Sequence, residues 1–566
     1  MLRRLALAAV IAAALTQPAA AAPVTLLPGV TVDRAVQFTL HGPVAFTAIT
    51  APRPGEGNGL YTLAPDLAHG TIAGGRDRLT RIERGVSDRA TVVGINGDFP
   101  GGRAGPAGIV MQGGVLEHSP LPLRSSIGID GAGALHVDRI SFVGTWKGTG
   151  QRRPVASVNE PPAQGRSQVV LFTPIYGAAV PASAGSAEVV LQPFPAALPG
   201  TDLQSTAVAV GAGGGESIPP DGGVLQATGT SAAALKAEAA VGTPVTVRLI
   251  LPPSWAGMTS GLGGGPVLVR GGKAVFRSGE DFVSAQLTQR GPRAGIGQLA
   301  DGRVILVAVD GGGPGSSVGM TNFELAQTLV RLGAVTASAV ESGGAVTAAF
   351  DGQLLAPPSD AAAEQPVGEG LLVEYTGVYA PPPPVPLVNG DPGATAEPLE
   401  YKVVRPSTVT AQVVGPDGVA HVVEASVLHQ PGTYDTTYSS FDAEGEWHWE
   451  VSATDDLGRV SSIDRQFRYD TTLRGLAVQT APGSATARFV LGRSASVRLR
   501  IETQGGVTVR LLPAVDLPAG PAHVTWNGRL AGGARVPSGM YVAHVFATSA
   551  GGTSDLSSKF AFRLGP

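Results

Sequence analysis

Residues 293–353 read RAGIGQLADGRVILVAVDGGGPGSSVGMTNFELAQTLVRLGAVTASAVESGGAVTAAFDGQ, and they alternate short apolar runs with polar groups at the ends of those runs. Two β-rich runs, 294–299 and 304–309, are joined through an Asp-Gly dipeptide, which favours a tight hairpin. A further strand is expected at 335–340. With a helix predicted before that strand, the order is strand, strand, helix, strand.

The predicted helix begins at Thr321. Thr321 and Glu324 have the spacing of a capping box, in which each side chain accepts a hydrogen bond from the other residue's backbone amide. Gly333 stands where a left-handed residue would end the helix. The apolar face is expected to carry four residues at helical spacing: Phe323, Ala326, Leu329 and Val330. We therefore predict an α+β mixed-sheet fold for the N-terminal domain.

A second block of the same kind lies upstream. A buried strand is predicted at 91–95, and it ends in Asn96, Gly97, Asp98 and Phe99 before a glycine-rich loop. Both blocks place polar side chains at strand ends, where a sheet can hold them rigidly.

Together the two blocks resemble the phosphodiester glycosidase family, and the resemblance covers most of residues 30–380. The first block matches in the Asn-Gly pair and its aromatic neighbour. In the second block the matching residues are the strand starting at Arg293, Asp310-Gly311, Gly319-Met320-Thr321, Glu324-Leu325-Ala326, Leu332-Gly333-Ala334, and the acid followed by Ser342-Gly343-Gly344. The resemblance implies a hydrolase that cleaves sugar phosphodiesters.

Breaking such a bond needs an acid for the leaving oxygen and an anion near the anomeric carbon. An arginine suits the phosphate, because its fork binds two oxygens at once. The predicted catalytic residues are Glu341, Asp310 and Asp98, and the predicted substrate-binding residues are Asn96, Arg293, Thr321, Ser342, Gly343 and Gly344. The amides of loop 311–319 could also receive a phosphate at the helix N-terminus.

Simpler interpretations exist for several of these residues. An aspartate in a glycine-rich turn commonly bonds its own backbone, which applies to Asp98 and Asp310. Arg293 could be a solvated strand-end arginine. Glu341 has the strongest claim, because packing does not explain an acid between an apolar strand and two glycines.

Two other kinds of site find little support in the sequence. Residues 315–319 satisfy the Gly-x-Ser-x-Gly pattern of serine hydrolases, but no histidine lies between Ser317 and residue 380. The nine histidines form no cluster with ligand spacing, and the chain has no cysteine, so a zinc site is not indicated. No cofactor is predicted, although the sequence leaves a divalent ion open.

The second block also departs from the family pattern. Where members carry Arg-Thr, Asp-Gly-Arg and Asp-x-Gly-Gly-Ser, this chain has Arg293-Ala294, Asp310-Gly311-Gly312 and Glu341 through Ala345. These changes leave two functions open. One is an exported glycosidase acting on sugar phosphodiester linkages in cell-envelope or extracellular glycans. The other is a catalytically degenerate protein that binds glycans or serves as a cell-surface scaffold.

Composition limits the partners. With 15% charged residues and a net charge of −4, the chain has no broad basic surface, which argues against nucleic acid. The expected partner is a carbohydrate or sugar-phosphate polymer.

The 79 glycines and 46 prolines are about twice the usual share of roughly 7% and 5%. Because 43% of residues are apolar, this excess indicates turns and strands rather than disorder.

The N-terminus has the pattern of a signal peptide, assigned to residues 1–22. Arg3 and Arg4 precede an apolar run at 5–15, and small residues at 20–22 offer a cleavage site. The run is shorter than the roughly 20 residues needed to span a membrane. No later segment is expected to span one. We therefore predict a secreted or extracellular protein.

The predicted domain layout has three folded parts. Residues 23–379 form the glycosidase-like domain, and 380–386 form a stiff proline-rich linker. Residues 387–470 are expected to form an Ig-like β-sandwich, because turn signals recur at regular intervals. Residues 473–566 resemble the Ig-like module of flagellar hook-capping proteins (FlgD). Both C-terminal modules are expected to be all-β and to provide contact with the cell surface.

Overall fold

The structure is a computed structural model that describes residues 23–101, 105–253, 255–275, 279–312, 317–358, 363–385, 387–504, 507–550 and 552–564. The predicted signal peptide lies outside the described residues. The chain forms two compact units. The first comprises residues up to Gly85 and 92–374, and the second comprises 86–91 and 375–566. The domain boundaries proposed from the sequence stay predictions.

Strands dominate the first unit. They are β1 Val24–Leu27, β2 Val30–Thr39, β3 Gly42–Ala51, β4 Tyr61–Leu67, β5 Thr91–Asn96, β6 Val110–Gln112, β7 Val115–His118, β8 Ser125–Asp130, β9 Leu135–Arg139, β10 Val143–Lys147, β11 Arg153–Val155, β12 Ser157–Val158, β13 Val169–Phe172, β14 Ala187–Leu191, β15 Asp202–Ala212, β16 Gly223–Ala227, β17 Pro244–Ile250, β18 Met258–Gly263, β19 Val267–Arg270, β20 Lys273–Ala274, β21 Arg293–Leu299, β22 Val304–Val309, β23 Ala334–Ala339, β24 Ala348–Phe350, β25 Gln353–Leu354 and β26 Glu369–Tyr375. The helices are α1 Glu56–Gly59, α2 Leu79–Gly85, α3 Thr230–Glu238, α4 Ser284–Thr288 and α5 Asn322–Arg331.

These strands form four sheets. Two sheets have eight strands, in the orders β1-β2-β3-β22-β21-β23-β19-β20 and β11-β10-β17-β15-β14-β16-β13-β12. Two have five strands, in the orders β7-β6-β18-β8-β9 and β25-β24-β5-β26-β4. Helix α5 packs on the first sheet, where Leu325 and Leu329 join a buried cluster with Phe46, Val307 and Val309.

The helix and strands predicted for residues 293–340 are confirmed. Strands β21 and β22 pair as the predicted hairpin, and Thr321 and Glu324 form the predicted capping box. One residue was placed wrongly. Phe323 is 47% exposed, and Leu325 instead fills the core beneath α5. The helix therefore turns its apolar face differently, with Leu325, Ala326 and Leu329 against the sheet.

The α+β class expected for the N-terminal domain is corrected, because strands far outnumber helices in the first unit. The chain is mostly β, with 51% of residues in strands and 9% in helices. Helix α5, which carries the clearest helix signals in the sequence, has 10 residues. Among the described residues, no helix is long and apolar enough to cross a membrane.

The second unit is all-β over the described residues. Its strands are β27 Leu387–Val388, β28 Glu397–Val403, β29 Ser407–Val414, β30 Ala420–His429, β31 Gly432–Tyr438, β32 Gly445–Asp455, β33 Val460–Tyr469, β34 Leu473–Ala481, β35 Ser484–Leu491, β36 Ala495–Thr503, β37 Thr508–Leu511, β38 Val515–Leu517, β39 Gly520–Trp526, β40 Gly539–Ser549 and β41 Gly552–Phe562. Strands β27, β33, β32, β29 and β30 form one sheet, and β28 pairs with β31.

The last strands of the second unit have their own core. Strands β34, β35 and β39 form one sheet, and β37, β36, β40 and β41 form another, with β38 paired to β36. Trp526, Leu499, Val545 and Phe562 are among the side chains buried there. This pattern of antiparallel sheets around a shared core is what an Ig-like sandwich requires.

Candidate active site

Three predicted site segments meet at one edge of the first sheet. Strand β21 runs antiparallel to both β22 and β23. The start of β21 therefore lies beside the ends of its two neighbours. This places Arg293, Asp310 and Glu341 at the same sheet edge, although their side chains have different surroundings.

The loop after β5 is bonded directly to the Glu341 segment. The Asn96 side-chain amide donates to the Glu341 carbonyl at 2.9 Å, and its oxygen accepts from the Thr347 N–H at 3.2 Å. The Glu341 N–H donates to the Gly97 carbonyl at 3.0 Å. The two sequence blocks are thus in contact. Since Asn96 is fully buried, its amide positions the loop and is not presented to a substrate.

Asp98, in the same loop, is almost completely buried. Its two carboxylate oxygens accept from the N–H groups of Phe99, at 2.7 Å, and Gly108, at 2.6 Å. Its own N–H donates to Oε1 of Glu369 at 3.1 Å. Burial raises the pKa of Asp98 to about 6, although the amide donors and the nearby Arg124 charge oppose the increase. The two backbone donors and Arg124 thus favour the anionic form of Asp98.

Two further acids, neither of them predicted from the sequence, complete a buried cluster with Asp98 and Glu341. Glu369 is fully buried at the start of β26, and burial followed by the Asp98 charge raises its pKa well above the usual value. Burial raises the pKa of Glu117 to about 7. Glu369 had a signal in the sequence, because it opens the apolar strand EGLLVEY. The packing argument used for Glu341 applies to it equally.

Glu341 is the partly exposed member of this acidic cluster. Burial raises its pKa to about 7, with the Asp98 charge adding to the increase and Arg76 opposing it. A carboxyl group with this pKa exists in both protonation states at neutral pH. It can therefore give or accept a proton, as general acid–base chemistry requires.

Arg293, predicted to bind phosphate, is bonded within the protein. It is 5% exposed, and its guanidinium donates to the carbonyl oxygens of Pro292 at 2.9 Å and Gln286 at 3.5 Å, and also to that of Gln289. The Gly343 N–H donates to the same Pro292 carbonyl at 3.1 Å. Arg293 thus anchors the turn beside loop 341–344. Both terminal nitrogens donate to backbone, while its buried Nε has no hydrogen-bond partner among the described residues.

Asp310 lies apart from the acidic cluster. Its charged neighbour is Arg34, which opposes the burial that raises the Asp310 pKa to about 6. The Ser317 hydroxyl donates to the Asp310 carbonyl at 2.6 Å and accepts from the Ala45 N–H at 3.1 Å. Ser317 is 1% exposed, so this hydroxyl holds the loop and is not presented as a nucleophile.

The N-terminus of α5 already holds a carboxylate. Glu324 accepts from the Thr321 N–H at 2.8 Å and from its hydroxyl at 3.0 Å, and it also pairs with Arg290. The predicted phosphate position at this helix end is therefore occupied by the chain's own acid, and Thr321 acts as a cap. Residues 313–316 of the predicted phosphate loop lie outside the described residues. Ser342 and Gly344 are partly exposed beside Glu341.

A cavity of about 710 Å³ adjoins the Asp98 loop. Its polar lining includes His118, Arg124 and Glu160. His118 Nδ1 lies 2.6 Å from the Gly108 carbonyl, and the Gly108 N–H is the one bonded to Asp98. Gly108 therefore connects His118, which lines the cavity, to Asp98 of the acidic cluster. Over the described part of the chain, no group of three or more His, Asp or Glu residues is placed to hold a metal ion.

Gly263 provides a test of how Asp98 is held. A Cβ atom at this position would lie 2.0 Å from Asp98 Oδ2 and 2.9 Å from the Gly108 Cα. We expect Gly263→Ala to displace the Asp98 carboxylate and to lower the free energy of unfolding by roughly 1–3 kcal/mol. Denaturant unfolding of the full chain measures the loss. The control is Gly131→Ala, because no atom lies within 4 Å of the added Cβ. Equal stability of the two variants would contradict the packing described here.

Comparison with known proteins supports both resemblances. Residues 204–374 match the family model of phosphodiester glycosidase, and residues 476–551 match that of the FlgD Ig-like domain. The first segment contains Arg293, Asp310, Glu341 and Glu369, whereas Asp98 precedes it. No curated protein matches the chain.

Three solved structures are similar to parts of the chain. A hypothetical protein from Synechocystis shares 26% identity with a TM-score of 0.51, and the match covers 62% of each chain. A protein from Burkholderia pseudomallei shares 23% identity with a TM-score of 0.47, covering 59% of this chain and 74% of the other. The zebrafish N-acetylglucosamine-1-phosphodiester alpha-N-acetylglucosaminidase catalytic domain shares 12% identity with a TM-score of 0.33, covering 61% and 82%.

Proposed function

We propose that the first unit, whose residues 204–374 match phosphodiester glycosidases, hydrolyses glycosyl phosphodiesters. In this reaction the bond between the anomeric carbon and the phosphate oxygen breaks, and water supplies the hydroxyl of the released sugar. The observation that carries the proposal is Glu341, the partly exposed acid of a buried acidic cluster, held in place by the loop that bears Asn96 and Asp98.

The two acids differ in a way that suits the reaction. The anionic form of Asp98 is favoured by its surroundings, because its carboxylate accepts two backbone hydrogen bonds and lies near Arg124. Its negative charge can stabilise positive charge developing on the sugar. Glu341, with its pKa raised to about 7, can supply the proton to the leaving oxygen. Two carboxyl groups in different surroundings, one held by backbone donors and one partly exposed, are the usual arrangement for such chemistry.

The substrate is proposed to be a sugar phosphodiester of the cell envelope or of extracellular glycans. The signal-peptide pattern at residues 1–22 supports export, and the FlgD Ig-like match supports an adaptor role for the C-terminal unit. Asp310 keeps its predicted catalytic role only if the substrate reaches the Arg34 side of the sheet edge.

A second function is favoured by one specific observation. The polar groups of Asn96, Arg293 and Thr321, all predicted to bind substrate, are bonded within the protein. A chain that has retained the fold without the chemistry would look the same at these positions. Such a protein would bind envelope glycans and would not turn them over.

A turnover assay tests the first function directly. The full chain is incubated with a panel of nucleotide sugars and simple glycosyl phosphodiesters, and the released reducing sugar is measured between pH 5 and 8. We expect release from at least one substrate, with the highest rate below pH 7. Saturable binding of envelope polysaccharide without any release would favour the second function. Neither binding nor release would reject both.

A further inference from the structure

The cavity beside Asp98 has the size and composition of a ligand site. Its volume of about 710 Å³ lies within the roughly 300–1,000 Å³ usual for small-molecule pockets. Prolines and Tyr176 form much of its wall, which gives flat apolar surfaces of the kind that sugar rings contact. The polar groups among its described lining residues include a guanidinium, an imidazole and a carboxylate.

Arg124 is the only lysine or arginine among the described lining residues of this cavity. Its guanidinium carbon lies 4.4 Å from the centre of the Phe282 ring and 5.4 Å from that of Phe99. These contacts hold the planar group in a fixed position, as cation–π stacking does. Its Nε donates to the Asp281 carbonyl at 2.9 Å.

The remaining donors of Arg124 distinguish it from Arg293. Within the described residues, the Nε bond is the only hydrogen bond from the Arg124 guanidinium. The N–H groups of both terminal nitrogens therefore remain available to a ligand. The Arg293 fork donates to three backbone carbonyls instead. A phosphate needs two parallel N–H donors on one rigid plane, and Arg124, a lining residue of the cavity, has two terminal nitrogens that are not hydrogen-bonded within the described residues.

The cavity also carries groups that suit sugar hydroxyls. Glu160 is exposed, so its carboxylate can accept hydrogen bonds from hydroxyl groups. Its charge also acts on His118, where it opposes the burial that lowers the pKa of the imidazole. The His118 Nδ1 lies 2.6 and 3.0 Å from the carbonyls of Gly108 and Ser119, and it must donate to them. When the ring is neutral, its Nε2 is therefore an acceptor.

We propose that this cavity binds the phosphate-bearing part of a glycosyl phosphodiester, with Arg124 as the phosphate-binding residue and Glu160 as a partner for hydroxyl groups. The assignment rests on the proposed function for its link to turnover, but binding itself can be measured independently. It replaces Arg293, the arginine expected from the sequence, with one that is 169 positions earlier in the chain.

Calorimetry with glucose 1-phosphate tests the site in the full chain. We expect Arg124→Gln to weaken binding roughly tenfold to 100-fold, the range for losing charge-assisted hydrogen bonds. Arg124→Lys keeps the charge but not the fork, and we expect an intermediate loss. Binding of glucose alone should be the same in all variants, because it has no phosphate.

The matched control is Arg139→Gln. Arg139 donates to the Gly279 carbonyl, in the same segment that accepts from Arg124, and is not among the described lining residues of the cavity. Thermal unfolding of each variant shows whether it is folded, and Arg124→Lys keeps the test valid if the Gln variant is unstable.

The outcomes separate this proposal from the proposed function. If the wild type releases sugar from phosphodiesters but Arg124→Gln and Arg124→Lys bind glucose 1-phosphate as tightly as wild type does, the hydrolase function stands and the subsite is wrong. If the wild type binds glucose 1-phosphate through Arg124 but hydrolyses nothing, the subsite stands and the enzyme function is wrong. Absence of both binding and turnover overturns both.

Discussion

Glu341→Gln is expected to lower kcat for glycosyl phosphodiester hydrolysis by roughly 10²–10⁴-fold, the usual contribution of a general acid. The variant keeps the side-chain volume and removes the exchangeable proton. Because burial raises the pKa of Glu341 to about 7, the acid form predominates below pH 7 and disappears above it. The wild-type rate should therefore be highest below pH 7 and fall as the pH rises through that value. Steady-state kinetics between pH 5 and 9 measure both effects.

The control for this substitution is Glu374→Gln. Glu374 is partly exposed on β26, where its carboxylate accepts a hydrogen bond from the Thr62 hydroxyl at 3.1 Å. The same change of charge at this position should leave the pH profile unaltered. The role assigned to Glu341 is incorrect if its Gln variant keeps the wild-type rate, or if the loss of rate above pH 7 persists in the variant.

Local signals in the sequence were reliable. Thr321 and Glu324 lie three positions apart, so their capping box depends only on the geometry of one helical turn. The hairpin joined by Asp301 and Gly302 is equally local. Such features depend on the chain within a few residues, and one sequence contains all the information needed.

The acidic cluster could be predicted only in part. The Asp98 N–H bonds to Glu369 across 271 positions, and nothing near either residue in the chain specifies that contact. Only the tertiary fold decides whether an acid at a strand end is buried beside another acid. Glu341 and Asp98 were found through the family resemblance and the chemistry of strand ends, whereas Glu117 gave no recognisable signal.

Arg293 shows a different limit. Its position at a strand start was predicted correctly, but the direction of its guanidinium depends on the carbonyls of Gln286 and Gln289, which lie in and just after the short helix α4. That helix has five residues and no clear helix signal in the sequence. The position of the Arg124 guanidinium could not be predicted for the same reason. It depends on Phe99 and Phe282, which pack together from distant parts of the chain.

Glu369→Gln is expected to stabilise the protein at pH 8 and to have little effect near pH 4. Burial, followed by the charge of Asp98, raises the folded-state pKa of Glu369 well above its usual value. The folded protein therefore keeps a proton that the unfolded chain releases. The stability from this group is fully present below the unfolded pKa and is lost as the pH rises toward the folded pKa. Gln cannot ionise, so it avoids that loss.

The size of the effect follows from how Glu369 is buried. Its Oε1 accepts from the Asp98 N–H, which a Gln oxygen can also do, while Oε2 has no hydrogen-bond partner among the described residues. The amide nitrogen of Gln would take the place of Oε2 without a partner too, so the gain at pH 8 comes from avoiding ionisation, at about 1.4 kcal/mol for each unit by which the folded pKa exceeds the unfolded one.

Denaturant unfolding of wild type, Glu369→Gln and Glu374→Gln at pH 4, 6 and 8 tests whether ionisation of Glu369 causes the difference in stability. Glu374 lies on the same strand but is partly exposed, so its Gln variant should follow the wild type at every pH. A Glu369→Gln chain less stable than wild type at pH 8 would mean that the carboxylate is ionised and satisfied in the folded state. The acidic cluster would then carry one more negative charge beside Glu341, and that charge would raise the pKa of the proposed catalytic acid further.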